Sequence, residues 1–373
     1  MSTLVVSDLH LGSRARADLL RASAVRAPLI AALRDGIERL VLLGDALELR
    51  QGPLREALAA ARVFFAEAGA ALGPDGEIVL VPGNHDHALV APWLERRHRD
   101  AVPSPLGLAD TAAWAPSDAV DVLAEAAAPV RLTLAYPGVW LRDDVYAHHG
   151  HYLDRHITVP TLERLSAGAM GRIVGPLPEG GATPDDYERA LAPIYAWSTA
   201  LAQHADDETT GTHGVSLRAW RTLSGNGHRP LRRRALVALF PLTIAAVNRA
   251  GLGPVRADIS GAELARAGVR AMSEVVERLD VDAKHVLFGH THRVGPRAGD
   301  ASAEWTTPRG VRLHNAGSWV YERQFLSTTP YESPYWPGTA IRVDASGPPV
   351  ALRILDGLDA AELNRALATR ARA

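Results

Sequence analysis

The chain has 373 residues, of which 47% are hydrophobic and 22% are charged, and its 40 Lys and Arg residues nearly balance 42 Asp and Glu residues, for a net charge of -2. This profile is that of a globular protein with one large domain or a domain plus a cap, and it lacks the basic excess of nonspecific nucleic-acid binders. The sequence contains no cysteine. Disulfides, thiolate metal sites and cysteine nucleophiles are therefore excluded, and metal ligands must come from His, Asp, Glu or Asn.

The N-terminal stretch MSTLVVSDLHLG leads directly into an apolar strand, without the basic region and long apolar run of a secretory signal. The longest apolar run, at 235–247, contains Pro241 and is shorter than the roughly 20 residues that a membrane-spanning helix needs. We therefore expect a cytoplasmic protein without a transmembrane segment.

Five short apolar runs along the chain each end in a turn that is followed by polar side chains. They are LVVSDLHLG at 4–12, LVLLGDALE at 40–48, IVLVPGNHD at 78–86, DVYAHHGH at 144–151 and HVLFGHTH at 285–292. Such runs are typical of buried strands, and functional groups collect where a rigid sheet aims its loops. Each polar residue alone is better explained as a cap, a turn residue or a satisfied core group than as part of a site. Five occurrences of the same pattern predict that these polar groups share one site, because burying polar groups without partners costs free energy.

The spacing within two of these runs also favours a shared site. Asp8 and His10 lie two residues apart, and so do His290 and His292. If the strand geometry continues through them, both side chains of each pair project to one face. Each pair is then placed to bind one centre.

The motifs DLH, GD, GNHD, HGH and GHTH, in this order, closely resemble those of the calcineurin-like metallophosphoesterases. The resemblance covers residues 3–151 and 281–320, and the motif forms are closest to the UDP-2,3-diacylglucosamine pyrophosphatase-like group. It implies an α/β fold, a four-layer αββα sandwich of two mixed sheets flanked by helices, with a dinuclear metal site at the strand ends. The catalytic core would comprise residues 1–151 and 281–356.

Carried over to this sequence, the family motifs imply two sets of metal ligands. Asp8, His10 and His292 resemble the ligands of one metal, and Asn84, His149 and His290 those of the other. Asp45 would bridge the two ions. Hard oxygens mixed with imidazoles suit divalent transition metals, and we expect Mn, with Fe, Zn, Co or Ni as alternatives.

The charge of such a site suits a phosphate ester. Two divalent cations, Asp8, Asp45 and a bridging hydroxide leave one net positive charge to meet a phosphodiester anion. A metal pair lowers the pKa of the bridging water and stabilises an in-line displacement, so the hydroxide is the expected nucleophile. His85 would act as general acid toward the leaving group, held in place by Asp86.

Several neighbouring residues have two interpretations. Glu48 either orients a ligand or is a solvent-exposed carboxylate. Arg14 either pairs with substrate phosphate or is a surface arginine. His151 is either a substrate contact or a support for a ligand, and we include Arg14 and His151 as candidate substrate-binding residues. His148, in AHHGH, is expected to pack in the core.

The expected function is hydrolysis of a phosphodiester or pyrophosphate bond in a lipid-like or nucleotide-linked substrate. A phosphomonoesterase is the alternative, because the same metals can serve it, and a non-enzymatic scaffold with this fold is a further one. The acidic balance disfavours a nuclease, and we expect no nucleic-acid partner.

Residues 152–280 are more than a strand and a crossover helix need, and they predict an inserted, mostly helical cap, with helical spacing at 185–204 and 261–279. Its basic and apolar segment at 229–249 is either a buried helix or an interfacial helix that receives an amphiphilic substrate and contacts the membrane peripherally. Smaller predicted elements are a helix at 118–127, a hairpin with its turn at YPGV (136–139) and a C-terminal helix within 357–373.

Overall fold

The computed structural model describes residues 1–99, 104–159, 162–204, 245–250, 253–255, 261–327 and 329–368. Its strands are β1 Thr3–Val6, β2 Arg39–Leu43, β3 Glu77–Val81, β4 Ala109–Thr111, β5 Arg131–Arg142, β6 Val145–His148, β7 His285–Phe288, β8 Val294–Gly295, β9 Arg312–Ala316, β10 Thr339–Val343 and β11 Val350–Arg353. Its helices are α1 Ser23–Leu33, α2 Leu54–Leu72, α3 Ala91–His98, α4 Ala119–Ala127, α5 Leu162–Val174, α6 Pro184–His204, α7 Gly261–Arg278 and α8 Ala360–Ala368.

The strands form one curled mixed sheet in the order β11-β10-β1-β2-β3-β5-β6-β7-β9-β8, with β4 paired to β5. The α/β class is thus confirmed. The expected two mixed sheets are joined through β5, whose residues 131–134 pair with β3 and whose residues 138–142 pair with β6. The five strands that precede the polar motifs are β1, β2, β3, β6 and β7, as predicted.

Strands β1, β2 and β3 run parallel and are buried on both faces, which explains their continuous Val and Leu runs. Val5 and Val41 share a buried apolar cluster with Ala147 and Leu287 of the other half of the sheet. The remaining faces pack on helices, with α1, α2 and α4 on one half and α6 and α7 on the other. The sheet therefore holds the strand ends rigidly.

The predicted turn at YPGV is wrong. Strand β5 continues through Pro137 and Gly138, and the chain turns instead at 143–144, between β5 and β6. A Cβ on Gly138 would lie 2.3 Å from the Tyr146 hydroxyl and 2.5 Å from the Ala147 carbonyl oxygen. This glycine permits a close approach between strands, which is the other use of glycine inside a strand.

The predicted helices are confirmed where the structure describes them: 118–127 is α4, 185–204 is α6, 261–279 is α7 and the C-terminal helix is α8. Helix α6 begins with a capping box, in which the Thr183 and Asp186 side chains accept each other's backbone N–H. The basic and apolar segment from 229 to 244 lies outside the described residues. No described helix is long and apolar enough to cross a membrane.

Candidate metal centre

The seven predicted ligands lie in the loops that directly follow five strands. These loops follow β1 (Asp8 and His10), β2 (Asp45), β3 (Asn84), β6 (His149) and β7 (His290 and His292). Strands β1 to β3 are parallel to one another, as are β6 and β7, and the carboxyl ends of parallel strands are where α/β sheets form their sites. The structure brings all seven side chains together.

The two-residue spacing predicted that strand alternation would bring the side chains of each pair to one face. The structure brings them together in a different way. Five of the seven residues have left-handed backbone, with φ of 57° at Asp8, 47° at His10, 50° at Asp45, 65° at His290 and 57° at His292. Each such conformation costs a non-glycine residue on the order of 1–3 kcal/mol and persists only where the surroundings impose it. The surrounding structure therefore holds these loop residues in strained conformations in which their side chains converge.

Glycines that precede the predicted ligands make room for this approach. A Cβ on Gly44 would lie 2.1 Å from the His149 ring, and one on Gly83 would lie 2.4 Å from Asp45 Oδ1. The glycines of the GD and GNHD motifs thus let neighbouring loops touch.

The first group of side chains contains Asp8, His10 and His292, whose potential ligand atoms lie within 4.8 Å of one another. Asp8 Oδ1 is 3.3 Å from His292 Nε2 and 4.0 Å from His10 Nε2. Within the described chain, Asp8 Oδ1 and His10 Nε2 have no hydrogen-bond partner although both are buried. Buried polar atoms are normally satisfied, and a cation among these atoms would satisfy them. The group fits a divalent metal.

The second group contains Asp45, His149 and His290, again within 4.8 Å. Asp45 Oδ2 is 3.3 Å from His149 Nε2 in this group and 3.7 Å from His10 Nε2 in the first. One buried carboxylate therefore faces both groups, which is the position that a bridging ligand needs. A third combination, with His10, Asp45 and His85, lies within the same limit.

The Asn84 amide completes the second group. Its Oδ1 lies 3.2 Å from His149 Nε2 and 3.0 Å from His290 Nδ1. With the amide reversed, its nitrogen would donate to these rings and its oxygen would accept from Arg50 Nη1 at 2.9 Å. Hydrogen bonding alone favours the reversed orientation, whereas a cation favours the oxygen among the ligands.

Each predicted imidazole ligand is held at its second ring nitrogen. The contacts are His10 Nδ1 to Glu48 (3.1 Å), His149 Nδ1 to the Leu43 carbonyl (2.9 Å), His290 Nε2 to Asp154 (2.9 Å) and His292 Nδ1 to Glu322 (3.2 Å). Such partners fix the tautomer that leaves a lone pair for the metal. Asp154 and Glu322 were not predicted, because neither belongs to a motif and only the fold brings them to the rings.

His85 is held by Glu48, whose two oxygens lie 2.8 and 3.0 Å from His85 Nδ1. The predicted role of Asp86 as its support is wrong. The Asp86 carboxylate instead accepts backbone N–H groups, at 2.7 Å from Gly83 and 3.1 Å from Leu47, because the side chains of adjacent residues diverge. Asp86 thus ties together the loops after β2 and β3. Glu48 is buried, so the alternative of a solvent-exposed carboxylate is excluded.

Buried histidines and carboxylates of the centre shift each other's pKa values. Burial alone would raise the pKa of Asp45, but the charge of His149 and its hydrogen bond hold it well below its usual value. Burial likewise opposes protonation of His149, yet Asp45 and Asp8 raise its pKa to about 9. In the absence of metal a proton therefore occupies the region between these groups, and metal binding would release it.

His85 has the opposite electrostatic character. Burial lowers its pKa to about 4, although Glu48 and Asp45 act to raise it. Its imidazole is therefore neutral at pH 7.

The two candidate substrate-binding residues both contact other protein side chains. Arg14 makes a partly exposed ion pair with Glu56 of α2, at 3.4 Å. His151 is fully buried, stacks on His148 at 5.1 Å between ring centroids and has Nε2 3.3 Å from the Tyr136 hydroxyl. It therefore supports the loop of the centre from within. His148 is buried in the core, as predicted.

No family model matches the chain, and no curated protein matches it. Among solved structures, a dimetal phosphatase from Danio rerio is 12% identical, over 95% of this chain and 99% of that chain, with a TM-score of 0.30. At this TM-score the likeness carries no weight, and the function has to be inferred from the side chains of the centre.

Proposed function

We propose that the protein is a dinuclear-metal-dependent hydrolase of phosphodiester or pyrophosphate bonds. The observation that carries this proposal is the Asp45 carboxylate, which faces two groups of buried ligand atoms at once. The finer parts of the proposal are the four-layer αββα arrangement, the likeness to the UDP-2,3-diacylglucosamine pyrophosphatase-like group, and a core at 1–151 and 281–356 with a cap at 152–280.

The proposed ligands of one ion are Asp8, His10 and His292. Those of the other are Asn84, His149 and His290, and Asp45 would be a ligand of both ions. Two divalent cations bound there would lower the pKa of a water molecule and offset the charge that develops on a phosphoryl group.

His85 is the proposed general acid, and Glu48 sets the orientation of its ring. Because its imidazole is neutral at pH 7 in the metal-free protein, it must gain its proton when an anionic substrate binds. A phosphate ester beside the ring favours the charged imidazolium, since an opposite charge nearby raises the pKa of a histidine. The proton can then pass to the leaving-group oxygen.

The proposal is tested with purified protein supplied with Mn²⁺. Elemental analysis should find two ions per chain, and a bis(4-nitrophenyl) phosphate or dinucleoside pyrophosphate should be hydrolysed faster than 4-nitrophenyl phosphate. Asp45→Asn should lose metal and activity together, whereas Asp144→Asn, at the opposite end of β6, should retain both. Failure to take up any transition metal would overturn the proposal, and a preference for the monoester would identify a phosphomonoesterase instead.

A further inference from the structure

Helix α6 of the cap carries Tyr195 into the buried region beside the metal centre. The side chain is 2% exposed, and its ring centroid lies 5.3 Å from that of His87 and 5.7 Å from that of His151. His151 in turn lies 5.6 Å from His149, a predicted ligand. Tyr195 is thus one aromatic ring removed from the centre.

The Tyr195 hydroxyl has no hydrogen-bond partner among the residues that the structure describes. Other tyrosines in this region are satisfied. The hydroxyls of Tyr136 and Tyr152 donate to Glu188 at 2.6 and 2.7 Å, and that of Tyr187 lies 2.8 Å from His156 Nε2. The difference is notable because burying a hydroxyl without a partner costs about 1–3 kcal/mol.

The surroundings of this hydroxyl make it a donor. Burial raises the pKa of Tyr195 well above its usual value, and the carboxylates of Asp154, Glu188 and Asp45 raise it further, against the charge of Arg50, which lowers it. The phenol is therefore protonated at any physiological pH. Two of these carboxylates belong to the centre, since Asp154 holds His290 and Asp45 faces both ligand groups.

Neighbouring polar atoms are also left without protein partners. Within the described ranges, Asp154 Oδ2 and His151 Nδ1 are buried and make no hydrogen bond. Buried polar atoms without partners indicate a site for a ligand or an ordered water. The His151 ring lies beside the rings of both Tyr195 and His149, and Asp154 holds His290, so both residues lie next to predicted ligands.

We propose that Tyr195 donates a hydrogen bond to a phosphoryl oxygen of the bound substrate, so that the cap contributes a substrate-contacting residue to the centre. The inference rests on the proposed function and assigns one contact within it. The ligand class is the phosphoryl oxyanion, which inorganic phosphate also presents. The cap would thereby recognise the reacting group itself, and a substrate would be fully bound only with α6 in place.

The test compares Tyr195→Phe with Tyr187→Phe in the full chain loaded with Mn²⁺. Both variants remove one hydroxyl from a buried tyrosine of α6 and keep its ring. We expect Tyr195→Phe to weaken binding of inorganic phosphate, measured by calorimetry, and to lower kcat/KM for the diester, each by about 10- to 100-fold, as for the loss of a hydrogen bond to a charged group. Metal content should remain that of the wild type.

The two variants should also differ in stability without phosphate. Tyr195→Phe should leave the thermal midpoint unchanged or raise it, because an unsatisfied hydroxyl is removed, whereas Tyr187→Phe should lower it. Equal phosphate binding by both variants would overturn the Tyr195 contact and leave an ordered water as its only partner, with the proposed function intact. A wild type that neither binds phosphate nor hydrolyses any ester would overturn both.

Discussion

At the scale of single residues, the centre contains one histidine whose pKa is raised and another whose pKa is lowered. His149 has a pKa raised to about 9 by Asp45, against the effect of its burial, and His85, a few ångströms from the same region, has a pKa lowered to about 4 by burial. Pairs of titratable groups pushed apart in this way are characteristic of sites that move protons. His85 is therefore the histidine whose replacement tests proton transfer in the centre.

Replacing His85 tests the general acid. We expect His85→Gln to keep both metal ions and to slow hydrolysis of esters with poor leaving groups by about 10²- to 10⁴-fold, the usual contribution of a general acid. Esters of 4-nitrophenol, which leaves without protonation, should be affected much less. The measurement is kcat across a series of leaving groups with metal content determined on the same samples. Loss of metal from His85→Gln would instead make His85 a ligand, as its contact with His10 and Asp45 permits.

Replacing Asp154 tests the support of a predicted ligand. Asp154→Asn weakens the contact that holds His290 Nε2 at 2.9 Å, and we expect the Mn²⁺ dissociation constant to rise about 10- to 100-fold, as is typical of such partners. Calorimetric titration with Mn²⁺ measures the effect. Asp144→Asn is the matched control, because Asp144 pairs with Arg142 away from the centre. Identical Mn²⁺ affinities of Asp154→Asn and Asp144→Asn would show that Asp154 does not support a metal ligand.

At the scale of elements, the sequence predicted most of the strands and helices that position the site. The apolar runs of β1, β2, β3, β6 and β7 are long enough and regular enough to identify. Capping residues mark the starts of α6, at Thr183 and Asp186, and of α8, at Asp359 and Glu362. The errors come from tertiary contacts. Gly138 stands in a continuous strand because Tyr146 lies against it, and no local pattern distinguishes that use of glycine from a turn. Asp154 and Glu322 become partners of ligands only through the fold.

The loop after β2 offers a test of how an element positions a ligand. Gly44 and Gly347 both have a φ of 84°, but a Cβ on Gly44 would meet the His149 ring at 2.1 Å, and a Cβ on Gly347 would meet nothing within 4 Å. Gly347→Ala should therefore cost only the left-handed strain, about 1–2 kcal/mol, and should bind metal normally. Gly44→Ala carries the same strain and also displaces His149, so that its Mn²⁺ content should fall. Chemical unfolding and elemental analysis of both variants separate strain from clash. Full metal content in Gly44→Ala would show that His149 is not needed at its present position.

At the scale of the whole molecule, one buried carboxylate joins helix α6 to three segments of the sheet and its loops. Glu188 of α6 accepts hydrogen bonds from Tyr136 of β5, from Tyr152 after β6 and, at 3.0 Å, from His87 after β3. His87 and Tyr152 each follow a predicted ligand by three residues. The helix that carries Tyr195 is therefore anchored through Glu188 to the same loops that form the candidate centre.

This anchor predicts a defined pH dependence of stability. Burial alone would raise the pKa of Glu188, but the hydrogen bonds from His87, Tyr136 and Tyr152 lower it below 4.5, the ordinary value. Because the pKa is lower in the folded state than in the unfolded state, ionised Glu188 stabilises the fold above its unfolded pKa, and this contribution is lost as the pH falls through its folded value.

Glu188→Gln should lower the free energy of unfolding by about 1–3 kcal/mol at pH 7, and its difference from the wild type should shrink below pH 4.5. Chemical unfolding between pH 7 and 3 measures the free energy of unfolding of the variant and of the wild type. Metal-free protein is used so that release of metal makes no contribution. The control Glu304→Gln, at an exposed position, should match the wild type at every pH. A difference that stays constant with pH would mean that Glu188 acts through packing and not through its charge.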